Sequence, residues 1–321
     1  MKQIPFILTL CIVVLLVPVW KPKSTTDTET LPASLMSEQD LQQIIESYAK
    51  TMRVKPVNAV VDPIWKAIPG YNGLVVDSEA SFNRMSQRGT FDEALLVYQE
   101  LPPAVRLADL PPAPIYKGNP EKPMVTFLIN VAWGDEFIRP MLDVLAAHQV
   151  KVTFFLDGSW TAKTPEMAKE IYQHGHEIGN HAFSHPDLAM SSPEKTRDEL
   201  RKTNAIIEQT LGVKPTWFGP PSGSFKEETI TIAKEQGMFT VLWTVDTVDW
   251  KQPDTEEMVN RVLSKVDNGS MILMHPTKPT AEGLDQMIRG IQEKGLVIGT
   301  VSGLLSEKRI DSVADEEFYT P

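Results

Sequence analysis

The pattern of apolar and polar positions changes character three times along the 321 residues. Ile4 to Trp20 is almost wholly apolar and follows Lys2. Such a run predicts an export signal or a membrane anchor, and about 17 residues is at the short end for a spanning helix. Val17-Pro18-Val19-Trp20 offers no small-residue cleavage site, which favours a retained anchor over residues 1–20. Residues 21–36 are polar, rich in Thr and Ser, and predict a flexible tether. Behind a capping Ser37, Leu41, Ile44, Ile45 and Tyr48 recur at helical spacing. With the short apolar runs that follow, residues 37–115 predict a small mixed module. Leu110-Pro111-Pro112-Ala113-Pro114 and Asn119-Pro120-Glu121-Lys122-Pro123 then punctuate the chain as a boundary.

Beyond Pro123 the pattern alternates. Apolar runs of strand length stand at 124–131, 152–156, 177–180, 216–219, 238–244, 270–274 and 296–301, and helical periodicity separates most of them. The clearest helix runs from Pro193 to Leu211, with Ser192 as cap, Pro193 in the first turn and Gly212 as terminator. Strands alternating with helices predict parallel strands joined by crossovers. The fold class is α/β, a distorted or incomplete (β/α) barrel over 120–306, with 307–321 as a tail. An open doubly wound sheet is the alternative, but no glycine-rich phosphate loop supports it.

The formal net charge of −11 argues against nucleic acid as a partner, because phosphate binding needs clustered Lys and Arg. Cys11 is the single cysteine, so no disulfide forms within the chain. Leu8-Thr9-Leu10 lacks the small residue expected beside a lipid-attachment cysteine.

Candidate chemistry gathers at strand ends, where ligands collect in both α/β architectures. His181 and His185 follow the third strand, and imidazoles four residues apart on one turn suit a zinc-like ion. Asn130 ends the first strand and Asp157 the second; Pro220-Pro221-Ser222-Gly223 follows the fourth, Asp246 and Asp249-Trp250 the fifth, and His275 the sixth. Three of the six histidines would therefore share one mouth.

The matching pieces Thr153-Phe154-Phe155, Gly175 to His181 with Ser184-His185-Pro186, Pro220-Pro221-x-Gly223, Asp246-x-x-Asp249-Trp250 and Leu273-x-His275 stand in a telling order. From Pro123 to about Leu305 the chain resembles the NodB-homology polysaccharide deacetylases, carbohydrate esterase family 4. Its layout resembles a sporulation-associated Gram-positive branch with atypical motifs. The resemblance implies a divalent metal, zinc first, on His181 and His185, with Asn130 as a weak neutral ligand. It implies His275 as the acid that protonates the leaving amine, Asp246 and Trp250 in support, and Pro221 and Ser222 beside the substrate. The implied partner is an N-acetylated glycan such as peptidoglycan or a chitin-like polymer, met outside the cytoplasm by an anchored or secreted protein.

The departures are specific. An ungapped register puts Asn130 and Val131 where the family carries paired aspartates, and Gly219 and Ser222 where it carries an arginine and a tyrosine. A missing general base costs typically about 100- to 10,000-fold in rate. Asp157, or Asp135 and Glu136, are the candidate replacement acids. Two functions follow. One is a metal-assisted hydrolase of acetamide C–N bonds. The other is a non-catalytic deacetylase fold that grips glycan through Trp250 and Trp133, or serves a structural role in the envelope.

Overall fold

The computed structural model describes residues 36–310. The apolar run 4–20 with Cys11, the tether up to residue 35 and the tail beyond residue 310 lie outside the described residues. Among those described, no helix is long and apolar enough to cross a membrane.

The first elements are α1 (Glu38–Thr51), β1 (Val60–Asp62), β2 (Lys66–Ile68), β3 (Gly73–Val76), α2 (Ser78–Met85) and β4 (Tyr98–Leu101). Ser37 caps α1, its hydroxyl accepting from Asp40 N at 3.1 Å. The helical periodicity of the sequence buries Leu41 and Ile45 against Val76, Met85 and Leu96. β1 with β2, and β3 with β4, form antiparallel pairs.

After Pro123 come β5 (Met124–Val131), α3 (Asp135–Ala147), β6 (Thr153–Leu156), α4 (Gly158–Lys163), α5 (Pro165–Gln173), β7 (Glu177–Asn180), α6 (Pro193–Leu211), β8 (Trp217–Phe218) and α7 (Glu227–Glu235). They are followed by β9 (Phe239–Thr240), β10 (Val245–Asp246), α8 (Thr255–Lys265), β11 (Met271–Met274), α9 (Lys278–Glu293), β12 (Val297–Gly299) and α10 (Val301–Leu305). The sheet path is β10-β11-β5-β6-β7-β8-β9, parallel throughout, with β12 also pairing β5.

β9 and β10 stand at opposite ends of that path, yet residues 241–244 alone separate them. Five peptide steps reach at most about 18 Å. The sheet must therefore curl until its two edges nearly meet, which gives the incomplete parallel barrel. The sequence predicts one strand over 238–244; in the structure this run pairs with β8 first and, beyond it, with β11, because the curl brings both neighbours to the same stretch.

Period-two alternation divides β5 between two cores. Val125, Phe127, Ile129 and Val131 pack outward under the helices, while Met124 and Leu128 point into the barrel. The module before residue 115 continues the sheet. Ile115 N donates to Thr240 O at 2.9 Å and Leu242 N donates to Ile115 O at 2.8 Å, while Ile115 also bridges to Lys66 of β2. The segment after α10 returns to this module. Leu107 N donates to Glu307 Oε1 at 2.8 Å, Arg309 Nη1 donates to Asn72 O at 2.7 Å, and the Arg309 guanidinium lies 4.3 Å from the Tyr71 ring centre.

Candidate functional site

The loop after β7 is held rigidly from below. Glu199 of α6 accepts from Phe183 N, Ser184 N and Ser184 Oγ, at 2.9, 2.8 and 2.8 Å. Asn180 accepts from Ala182 N and donates to Leu200 O and Asn204 Oδ1. These anchors hold Ala182 and His185 in the left-handed region, at φ 60 and 54, which non-glycine residues rarely occupy. The His181 and His185 rings meet edge to face with centroids 5.2 Å apart. His181 is buried, and its Nδ1 stands 2.7 Å from Gly219 O. A carbonyl can only accept, so Nδ1 carries the proton and Nε2 keeps a free lone pair. Burial above all, with His185 nearby, pushes the His181 pKa down to about 3.

His275 is fixed from a different side. Asp249, with no exposed surface, accepts from His275 Nδ1 at 2.8 Å, His275 N at 2.6 Å and Thr280 Oγ1 at 2.6 Å. Burial pushes this carboxyl up, but the hydrogen bonds from His275 and Thr280 outweigh it and its pKa is lowered. Trp133 stacks on the His275 ring at 5.9 Å and 9°. Gly134 makes that placement possible: at φ +88, a Cβ there would stand 2.1 Å from Pro276 O.

These groups surround one cavity of about 430 Å³. Asn130, His181, His185, Ser222, Asp246, Trp250 and His275 line it together with Ala132, Trp133 and Trp243. The other sequence candidates stand elsewhere. Pro221 is buried without reaching the cavity. Asp157 caps α4, accepting from Trp160 N at 2.9 Å and Ser159 Oγ at 2.7 Å, and burial raises its pKa. Asp135 accepts from Trp160 Nε1 at 2.6 Å. Asp246 lines the wall but accepts from Val248 N at 2.7 Å, so the residue that holds His275 is Asp249, three positions later. Trp243 carries no motif signal in the sequence; its run of apolar neighbours hides that its indole packs over Gly223, where a Cβ would meet it at 2.8 Å.

Comparison with known proteins agrees with this architecture. Residues 117–241 match the polysaccharide deacetylase family model. An uncharacterized protein of Bacillus subtilis (strain 168), YlxY, is 52% identical over 284 residues, covering 88% of each chain. The crystal structure of a CE4 family pseudoenzyme from Bacillus anthracis superposes with a TM-score of 0.79 at 46% identity, over 84% of this chain and 96% of that one. The chain belongs to carbohydrate esterase family 4, the polysaccharide deacetylases. A peptidoglycan-N-acetylglucosamine deacetylase of Bacillus cereus is 36% identical over 179 residues, 54% of this chain and 65% of that protein.

Deacetylases of this family are metal-dependent, and a catalytic zinc site takes three protein ligands. Here the donor set falls short. His181 and His185 converge, but among the described residues no three His, Cys, Asp or Glu side chains are placed to hold a metal. The register of the first motif explains why. Asn130 faces the cavity, but Val131 turns outward into the core, fully buried. A carboxylate there would enter hydrocarbon. Between the end of β5 and the Gly134 turn, Ala132 and Trp133 also line the cavity, beside Asn130. Neither can bind metal or take a proton.

Proposed function

We propose that this chain is a glycan-binding deacetylase relative that performs little or no hydrolysis. One observation carries the reading: among the described residues no carboxylate joins His181 and His185 to hold a metal, and Asn130, Ala132 and Trp133 line the cavity at the end of β5 instead. The similarity to a protein described as a CE4 pseudoenzyme supports it. So does the cavity itself, which three tryptophans line. Aromatic faces pack well against flat apolar surface, and a pyranose ring offers one. Relatives named for peptidoglycan N-acetylglucosamine and N-acetylmuramic acid deacetylation point to peptidoglycan as the polymer. The apolar run 4–20 fits an anchored or exported protein of the cell envelope, and the sporulation-associated branch named by sequence resemblance fits a spore-former's wall.

The test is direct. Purified full-length chain, supplied with zinc, is expected to release no acetate from N-acetylglucosamine oligomers or peptidoglycan while binding these glycans in calorimetry. Zinc-dependent acetate release would overturn the reading. Trp250→Ala is expected to weaken glycan binding about tenfold, a loss of about 1.4 kcal/mol, because Trp250 lines the cavity and is 53% exposed at its rim. An unchanged affinity would remove Trp250 from the binding surface.

A second reading, residual hydrolysis, is favoured by the intact Asp249–His275–Thr280 network. On that reading any acetate released by the wild-type chain disappears in His275→Ala. Release that survives the substitution would come from elsewhere.

A further inference from the structure

Resting on the glycan-binding reading, we infer that this cleft selects a hexosamine whose amine is free and protonated, the deacetylated sugar, over its N-acetylated form. The argument begins with hydrogen-bond roles. His181 donates its Nδ1 proton to Gly219 O, so its Nε2 offers only a lone pair. His275 donates its Nδ1 proton to the Asp249 carboxylate, so its Nε2 likewise offers a lone pair. Asp246 adds a carboxylate to the wall, and Asn130 an amide that can both accept and donate. An ammonium group carries three donors and no acceptor, and it matches a cavity whose deep groups accept. An acetamide brings one N–H and a carbonyl oxygen that itself needs a donor. Apart from the Asn130 amide and the Trp243 indole, the donors lie at the rim, on exposed Ser222 and on the indoles of Trp133 and Trp250.

Charge points the same way. Among the described residues no Lys or Arg lines the cavity, and Lys251 lies over the Trp250 ring at the rim, whereas Asp246 stands in the wall and Asp249 directly behind His275. The Trp250 ring already draws a cation to its face, with Lys251 Nζ 4.8 Å from its centre, an attraction of about 0.5–1 kcal/mol at exposed sites. A cavity shaped for a metal cation, stripped of one ligand, thus retains a preference for positive charge. The ammonium of a glucosamine unit is the cation that a wall glycan carries once its acetyl group is gone.

The experiment titrates the full-length chain with glucosamine hexamer and with N-acetylglucosamine hexamer, at a pH where the free amine is protonated. The expected result is at least tenfold tighter binding of the deacetylated oligomer. Two variants separate the cleft from the acidic surface of the molecule: Ala132→Lys, which places a cation inside the cavity, and Asp246→Asn. Both are expected to abolish the preference. Folding of each is checked by circular dichroism, and retained binding of the N-acetylated oligomer provides the internal control for Asp246→Asn. A preference that persists in both folded variants would mean attraction to the net negative surface alone and would overturn the inference. Equal or tighter binding of the acetylated oligomer overturns it too, while leaving the glycan-binding reading intact. Failure to bind either oligomer defeats that parent reading together with the inference. Peptidoglycan fragments with and without de-N-acetylated glucosamine, run as a further pair, tell a wall glycan from a chitosan-like polymer.

Discussion

A double variant, Ala132→Asp with Trp133→Asp, is expected to bind zinc stoichiometrically and to release acetate from N-acetylglucosamine oligomers. The prediction follows from the alternation along β5. Val131 ends the strand facing the core, whereas Ala132 and Trp133, like Asn130, reach the cavity holding His181 and His185. One new carboxylate completes a three-ligand set of the kind catalytic zinc sites use, and the second is placed to take a proton from water. Changing groups that merely orient a metal ligand alters affinity by about 10- to 100-fold, so supplying an absent ligand exceeds that. Restoring a general base adds about 100- to 10,000-fold in rate. Metal analysis and acetate assay of the purified variant check both halves. The contrasting pair, Asn130→Asp with Val131→Asp, follows the ungapped sequence register; it is expected to fail, because the second substitution drives a charge into packed hydrocarbon at a cost of several kcal/mol. Activity in that pair, and none in the first, would return the motif to its sequence register.

The second large effect is loss of stability on acidification. Burial pushes both His181 and His176 down to about 3, with the remaining push coming from His185 for the former and from Lys151 and His174 for the latter. Both titrate near 6.5 once unfolded. Between those values the unfolded chain holds two protons that the folded chain refuses, so stability is intact above about 6.5 and falls as the pH drops towards 3. Each proton is worth about 1.4 kcal/mol per pH unit, so the pair gives a slope of roughly 3. Asp249, whose folded pKa is lowered, contributes stability that survives above the unfolded carboxylate value and is lost only at still lower pH. Thermal unfolding followed by circular dichroism from pH 7 to pH 4 is expected to show a steadily falling midpoint. His181→Asn, which keeps a donor for Gly219 O, should flatten that fall by about half. A midpoint indifferent to pH over this range would contradict the burial of both imidazoles.

Long, strongly patterned elements were legible in the sequence. β5, β7 and α6 run between the very bounds that periodicity and capping predict. The convergence of His181, His185 and His275 was also legible, because each follows a strand and parallel strands share one mouth. What escaped was decided by a single residue step or by curvature. Within Asn130-Val131 only Asn130 faces the cavity, because neighbours on a strand face opposite ways, and the Gly134 turn that follows the strand's end is not placed by periodicity alone. Asp246 and Asp249 flank the same turn; which of them meets His275 depends on the left-handed Val248 between them, at φ 53, and no propensity scale reports that. The division of 238–244 between two pairings follows from closure of the sheet, a property of seven strands together rather than of any window.

Ile115 has a consequence for how the chain can be divided. Its backbone satisfies the amide of Leu242 and the carbonyl of Thr240, groups at the outer margin of the curled sheet. A chain cut at the proline-rich boundary near residue 120 would leave that margin bare, with β9 as an open border next to the apolar side chains of Val241 and Trp243. Uncovered strands of this kind recruit other chains. The amino-terminal module is thus less an appendage than a seal over the open border of the curled sheet.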